Sequence, residues 1–190
     1  MDIKNLYEIE KLDDLIRHIS KVRESGILLG RRLINRGIEN NSSSDISIGH
    51  QLIARVHIHD NSKFYGMEWK YMGKNEQNGE MLKEAILHHQ SVNDHHPEYW
   101  RDVNKDMPAI AIAEMICDWK ARSEEFGTSL RDYIKDTALN RFNIPPTGRV
   151  SKIIKDYVDL LLDDDFSKKK KKSSKNKETS DENISDNRPS

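Results

Sequence analysis

Eight histidines occur in this 190-residue chain, and six of them fall between His57 and His96. Imidazole is the commonest side-chain ligand for transition metals, and carboxylates complement it with negative charge and the capacity to bridge two ions. The pair His59-Asp60 is the focus of that segment. Leu52 lies seven residues before His59, Ile53 seven before Asp60, and Val56 three and four before them, so a helix carried through this stretch turns both side chains inward. A buried unpaired carboxylate is costly, and pairing with a cation or a metal ion is the natural resolution. His88 and His89 follow on another helical stretch, where Leu82, Ile86 and His89 fit one stripe and Met81, Ala85 and His88 its neighbour; either is a candidate ligand. His95 and His96 sit before Pro97 in an irregular segment that aims side chains independently of helical period. Glu114 and Asp118, four apart, are two acids on the otherwise apolar run Ala109 to Trp119.

Helices must position these groups, because the hydrophobic spacing is helical almost throughout. Leu12, Leu15, Ile16, Ile19 and Val22 form one stripe, with His18 beside it. The polar turn Asn40 to Ser44 supplies N-caps for a second helix holding Ile48, Leu52, Ile53 and Val56 and running into His57-Ile58-His59-Asp60. A third helix is expected over Phe64 to Met72, an exposed loop over Gly73 to Gly79, and a fourth helix over Glu80 to about Gln90. Pro108 suits the first position of a helix reaching about Phe126, and Thr128 or Ser129 caps a short one after it. Pro145-Pro146-Thr147-Gly148 breaks the chain, and Val150 to Leu162 forms a last amphipathic helix. The expectation is an all-α bundle of six to seven helices over residues 1–165, followed by a disordered Lys/Ser/Asn-rich tail over 166–190 with little to bury.

Composition narrows the function classes. Hydrophobic residues make up 35% and charged residues 33%, which suits one modest core beneath a charged surface. The longest apolar runs fall well short of the roughly 20 residues that span a bilayer. The charged N-terminus does not look like a signal peptide, and Cys117 as the single cysteine excludes an intramolecular disulfide, so a cytoplasmic location is expected. The body carries 23 basic and 28 acidic residues, which disfavours nucleic-acid binding by the folded part. The run Lys168 to Lys172 offers a weak nucleic-acid contact or, in a eukaryotic host, a nuclear localisation signal, against the default of a solvated end.

The order His18, His59-Asp60, His88 or His89, His95 or His96, Asp118 resembles the HD-domain superfamily of metal-dependent phosphohydrolases. His59-Asp60-Asn61-Ser62-Lys63 is similar to the His-Asp-x-x-Lys variant of several of its branches. More narrowly, His57-x-His59-Asp60-x-Ser62-Lys63-Phe64, Asn93-x-His95-His96-Pro97-Glu98-Tyr99-Trp100 and Glu114-Met115-x-Cys117-Asp118-Trp119 look like blocks of an uncharacterised phage and bacterial family, domain of unknown function 5662. The resemblance implies one or two divalent ions, Mn, Fe, Ni, Co or Zn. His18, His59, Asp60 and Asp118 would hold the first, and the later histidines with a bridging Asp60 the second. Two such ions activate water for in-line displacement at phosphorus. Lys63 and Arg122 would then contact substrate phosphate, and Glu68 and Glu114 would support ligands or move protons. The implied partner is a small phosphorylated substrate of nucleotide type. The same ligand order also serves di-iron oxygenases, and a metal-stabilised binding protein is the non-catalytic alternative. Plainer readings stand beside these: Glu114 as partner of a basic side chain within the bundle, Lys63 as a solvated lysine, and Tyr99-Trp100 as core packing.

Overall fold

A computed structural model describes residues 3–73 and 79–163 of the chain, and every regular element among them is helical. The expected tail at 166–190, the lysine run and the core of the Gly73 to Gly79 loop lie outside the described residues.

The first helix, α1, runs Ile3–Glu39. Its 37 residues span roughly 55 Å at about 1.5 Å per residue. It turns at Asn41 in a left-handed conformation (φ 54°), which asparagine tolerates better than most residues. Ser42 then caps α2, Ser43–Arg55, accepting the Asp45 N–H at its hydroxyl. The two helices lie antiparallel: Gly37 faces Ile46, Gly30 faces Gly49 and Ile53, and Gly26 faces Val56. Gly30 and Gly49 are what permit this approach, because a Cβ on Gly49 would stand 2.5 Å from the Gly30 carbonyl oxygen.

A 3₁₀ turn at Asn61–Phe64 and α3, Gly66–Tyr71, follow, in place of one continuous helix from Phe64. Tyr65 separates them with extended geometry and Gly66 takes a positive φ of 63°. Next come α4 at Gly79–Val92 and α5 at Pro97–Asp102, the latter opened by Pro97 in its first turn. The sequence periodicity is silent on α5, a six-residue helix too short to show a stripe.

The centre of the molecule is α6, Ala109–Glu125, with Pro108 at its N-cap rather than its first position. Residues Ala111 to Trp119 are all buried, Glu114 and Asp118 among them, so this stretch of the helix is surrounded on every side. It packs against α1, α2 and the later helices α7 and α9. Ser129 caps α7, Leu130–Tyr133, whose path continues through a π-turn at Ile134–Ala138 into α8, Leu139–Arg141. The last helix, α9, spans Arg149–Leu161 and buries Ile154, Tyr157, Val158 and Leu161. These join Val22, Leu29, Leu33, Leu52, Ile112, Met115 and Trp119 in one core. Half-buried Trp100 packs on that core and donates its indole N–H to the Asp94 carbonyl at 2.6 Å, which fits core packing. Among the described residues no helix is long and apolar enough to cross a membrane.

Candidate metal centre

The His59-Asp60 pair does face inward, but not by the route the periodicity suggested. Helix α2 stops at Arg55, and tighter bonds follow, from the His57 N–H to the Ala54 carbonyl and from the Ile58 N–H to the Arg55 carbonyl. Asp60 itself sits in left-handed geometry at φ 54°, ψ 22°. That turn, and not helical phase, drives the carboxylate into the core. A left-handed residue other than glycine costs on the order of 1 kcal/mol, a strain typical of functional sites.

Around Asp60 the structure assembles side chains from five segments. On the Oδ2 side stand His59 Nε2 at 3.5 Å and His18 Nε2, from α1, at 3.8 Å. His18 Nε2 also lies 3.0 Å from Asp118 Oδ1, on α6. On the Oδ1 side stand His89 Nε2 at 3.3 Å, from α4, and His95 Nε2 at 3.5 Å, from the turn before α5. His96 Nε2 approaches His89 Nε2 at 3.0 Å. The carboxylate thus divides the cluster, with His18 and His59 beside one oxygen and Asp118 behind His18, and with His89 and His95 beside the other and His96 against His89.

Five of these atoms, His18 Nε2, His59 Nε2, Asp60 Oδ1, His95 Nε2 and Asp118 Oδ1, are buried without a well-aligned hydrogen bond, although His18 Nε2 and Asp118 Oδ1 face each other at 3.0 Å as an ion pair. Buried polar atoms are nearly always paired, and orphans gathered in one cluster could share a common partner. A cation suits them in chemical type, since carboxylate oxygens and neutral imidazole nitrogens each offer a lone pair. The ligand atoms of Asp60, His89, His95 and His96 lie within 4.8 Å of one another, as do those of His18, His59 and Asp60. Bonds of about 2.0–2.2 Å to a shared ion put its donor atoms at most about 4.4 Å apart, close to this spacing. Nitrogen and carboxylate donors suit Mn, Fe, Co, Ni or Zn.

The opposite ring nitrogens are held by a second layer of carboxylates. Glu125 Oε1 lies 2.8 Å from His18 Nδ1, Glu114 Oε1 3.0 Å from His59 Nδ1, and Glu68 Oε2 2.7 Å from His89 Nδ1. Such contacts fix the tautomer and aim Nε2 at the centre. Glu114 also forms a three-residue group with His59 and His95. It touches them through Nδ1, however, and its other oxygen accepts from Arg55 Nε at 2.7 Å, so it orients imidazoles rather than joining the cluster. Glu114 thus lies between an imidazole of the cluster and a basic side chain, touching both.

His89, not His88, enters the cluster. His88 keeps a half-exposed ring and places Nδ1 2.7 Å from the outer oxygen of Glu68. Lys63, expected at the cavity edge, rests its ammonium directly on Asp60 Oδ2. Arg122 reaches Asp118 Oδ1 at 3.8 Å and Glu125 at 2.9 Å from a partly exposed position. Residues that periodicity did not single out complete the layer. Glu125 lies seven after Asp118, two turns along the same face of α6, a spacing that could have flagged it. Ser62 donates to Glu68 at 2.8 Å, and Asn93 donates to Ser62 at 2.9 Å; nothing in their local sequence marks them.

The electrostatics favour ligand-ready forms for Asp60, Asp118, His89, His95 and His96, and the protonated form for His18 and His59. Burial alone would raise the Asp60 carboxyl, but His59, Lys63, His95 and His89 hold it well below the usual range, and His18 and His59 do the same for Asp118. Burial drives His89 down to about 4, and lowers His95 and His96 as well. His18 and His59 go the other way: burial opposes their protonation, but Asp118 and Glu125 beside the one, and Asp60 and Glu114 beside the other, outweigh it. Ionised carboxylates and neutral imidazoles are the species that ligate metals.

No curated protein and no solved structure matches the chain. The sequence pattern of the family of unknown function DUF5662 matches residues 7–163, a span containing every side chain of the cluster. The protein therefore belongs to family DUF5662.

Proposed function

We propose that this protein is a metal-dependent phosphohydrolase of HD type, acting on a phosphomonoester or phosphodiester of nucleotide kind. The observation that carries the metal reading is the gathering of the unpartnered, buried Nε2 atoms of His18, His59 and His95 about Asp60, whose own Oδ1 is likewise unpartnered. The order of His18, His59-Asp60, His89, His95-His96 and Asp118 along the chain supports the HD assignment through its resemblance to that superfamily.

His18, His59, Asp60 and Asp118 would hold one ion, and Asp60, His89, His95 and His96 a second. Bound divalent ions supply Lewis acidity toward phosphoryl oxygens and a water made nucleophilic near neutral pH. The chain's own residues do the rest. Glu125, Glu114 and Glu68 keep the imidazoles aimed. Lys63 and Arg122 bring positive charge to an otherwise acidic cluster, which suits an anionic phosphoester better than a neutral substrate and favours hydrolysis over oxygen chemistry. Arg122, partly exposed beside Asp118, and half-buried His96 at the other end of the cluster are its most open members, so substrate would approach past one of them.

Purified protein supplied with Mn²⁺, Fe²⁺ or Zn²⁺ is to be screened against phosphomonoesters, nucleotides and cyclic nucleotides, under nitrogen and in air. Hydrolysis that is independent of oxygen and lost in Asp60→Asn is the expected result, read as free phosphate from monoesters or as nucleoside monophosphate from cyclic nucleotides. Oxygen consumption with a mixed-valent iron signal overturns the hydrolase in favour of an oxygenase. Retained metal with neither activity overturns both in favour of a binding role.

A further inference from the structure

One carboxylate stands behind both halves of the centre. Glu114 Oε1 is 3.0 Å from Nδ1 of His59, which belongs with His18, and 3.7 Å from Nδ1 of His95, which belongs with His89 and His96. The two rings lie 4.4 Å apart, centroid to centroid. A movement of this oxygen therefore re-aims a donor in each half together.

What fixes the carboxylate is Arg55, the last residue of α2. Its Nε donates to Glu114 Oε2 at 2.7 Å, while Nη1 donates to Asp94 Oδ2 at 3.2 Å and Nη2 contacts Asp94 Oδ1. Asp94 directly precedes His95-His96, and its carbonyl accepts the Trp100 indole, which anchors that turn to α5. A single guanidinium thus joins α2, α6 and the turn carrying two of the donors. Its planar fork meets two carboxylates at once, which an ammonium cannot reproduce.

We propose that Arg55 is a positioning residue that fixes Glu114 and Asp94 together, so that the two halves of the centre take up divalent ions as one coupled unit. The inference rests on the metal-centre reading above. An ion held by His59 orders that imidazole, the ordered imidazole fixes Glu114, and Glu114 presets His95 for the second ion. Coupling of this kind is reciprocal.

The test is calorimetric titration of full-length, chelator-stripped protein with Mn²⁺, comparing wild type with Arg55→Gln, Arg55→Lys and Arg36→Gln. Arg36 bridges Asp45 and Asp156 some eighteen residues along α1 from His18, so its variant loses an ion-pair network remote from the centre. Wild type should take two ions in a single cooperative transition. Both Arg55 variants should split it into two steps and weaken overall affinity roughly 10–100-fold, whereas Arg36→Gln should lower only the melting temperature and keep the wild-type isotherm. Should Arg55→Gln lose its helical circular dichroism, Arg55→Lys, which keeps the charge but not the fork, carries the comparison. Arg55 variants that titrate like wild type, or a wild type that takes one ion or two in independent steps, overturn the coupling and leave the centre standing. A wild type that takes no ion overturns the centre and the coupling with it.

Discussion

Asp60 carries two separate demands. Its carboxylate must be ionised among buried imidazoles, and its backbone must hold left-handed geometry. The two come apart by substitution. Asp60→Asn and Asp60→Ala both remove the charge, but asparagine tolerates the turn and alanine does not. The alanine variant should unfold at the lower temperature of the two, by an amount corresponding to about 1 kcal/mol. Thermal denaturation of metal-free protein checks this, and equal melting temperatures would show that the turn is unstrained. Glu68 acts one layer out. It is almost fully buried, and it accepts from Ser62 and touches both His88 and His89. Glu68→Gln keeps the shape and removes the charge behind His89, and should weaken Mn²⁺ binding roughly 10–100-fold in a titration, with helicity unchanged.

At the scale of elements, the α1–α2 pair sets where His18 stands relative to His59 and Asp60. Gly30 and Gly49 bring the backbones into contact, and Gly49→Ala places a methyl against the Gly30 carbonyl. Overpacking of this kind should cost about 1–3 kcal/mol, read as a drop in denaturation midpoint; an unchanged midpoint would mean that the helices part freely. The long elements were legible where burial writes a period into them: the α9 stripe and the largely apolar first half of α6 after Pro108 are buried, whereas the α1 stripe is only partly so, with Ile19 and Val22 in the core and Leu12 and Ile16 exposed. The ends were less so. Helix α2 was read through to Asp60, because Leu52, Ile53 and Val56 keep phase with His59 and Asp60, yet the chain leaves the helix at Arg55 and reaches the same inward aim through a left-handed residue. The choice between His88 and His89 was not legible at all, since both flank the same stripe and the deciding contacts come from Asp60 and from Glu68 on a different helix. Arg55 was invisible for the same reason: its two carboxylate partners lie 39 and 59 residues away.

For the whole molecule, the centre works as a clip. It gathers α1, the turn after α2, α4, the turn before α5, and α6 around one carboxylate, across a span from His18 to Asp118. An ion that binds this arrangement and not the unfolded chain stabilises the fold by about 2.7 kcal/mol at a hundredfold excess over its dissociation constant. Melting temperature should therefore climb with added Mn²⁺ or Zn²⁺ and fall back with chelator. A separate pH signature comes from Tyr157, on α9, whose burial pushes the phenol from its ordinary 10.0 up to about 12. The fold favours the protonated form, so this contribution is fully present below pH 10 and is lost as pH rises from 10 through 12. Tyr157→Phe should make the alkaline loss of stability shallower across that window, and an identical pH profile would contradict the shift.

Elemental analysis of the protein purified without chelator tests most directly whether the side chains around Asp60 hold metal. A metal-holding role predicts one to two equivalents of a transition metal per chain in the wild type, and close to none in Asp60→Asn of equal helicity. A wild-type protein that carries no metal, and takes none up when Mn²⁺, Fe²⁺ or Zn²⁺ is supplied, would contradict it.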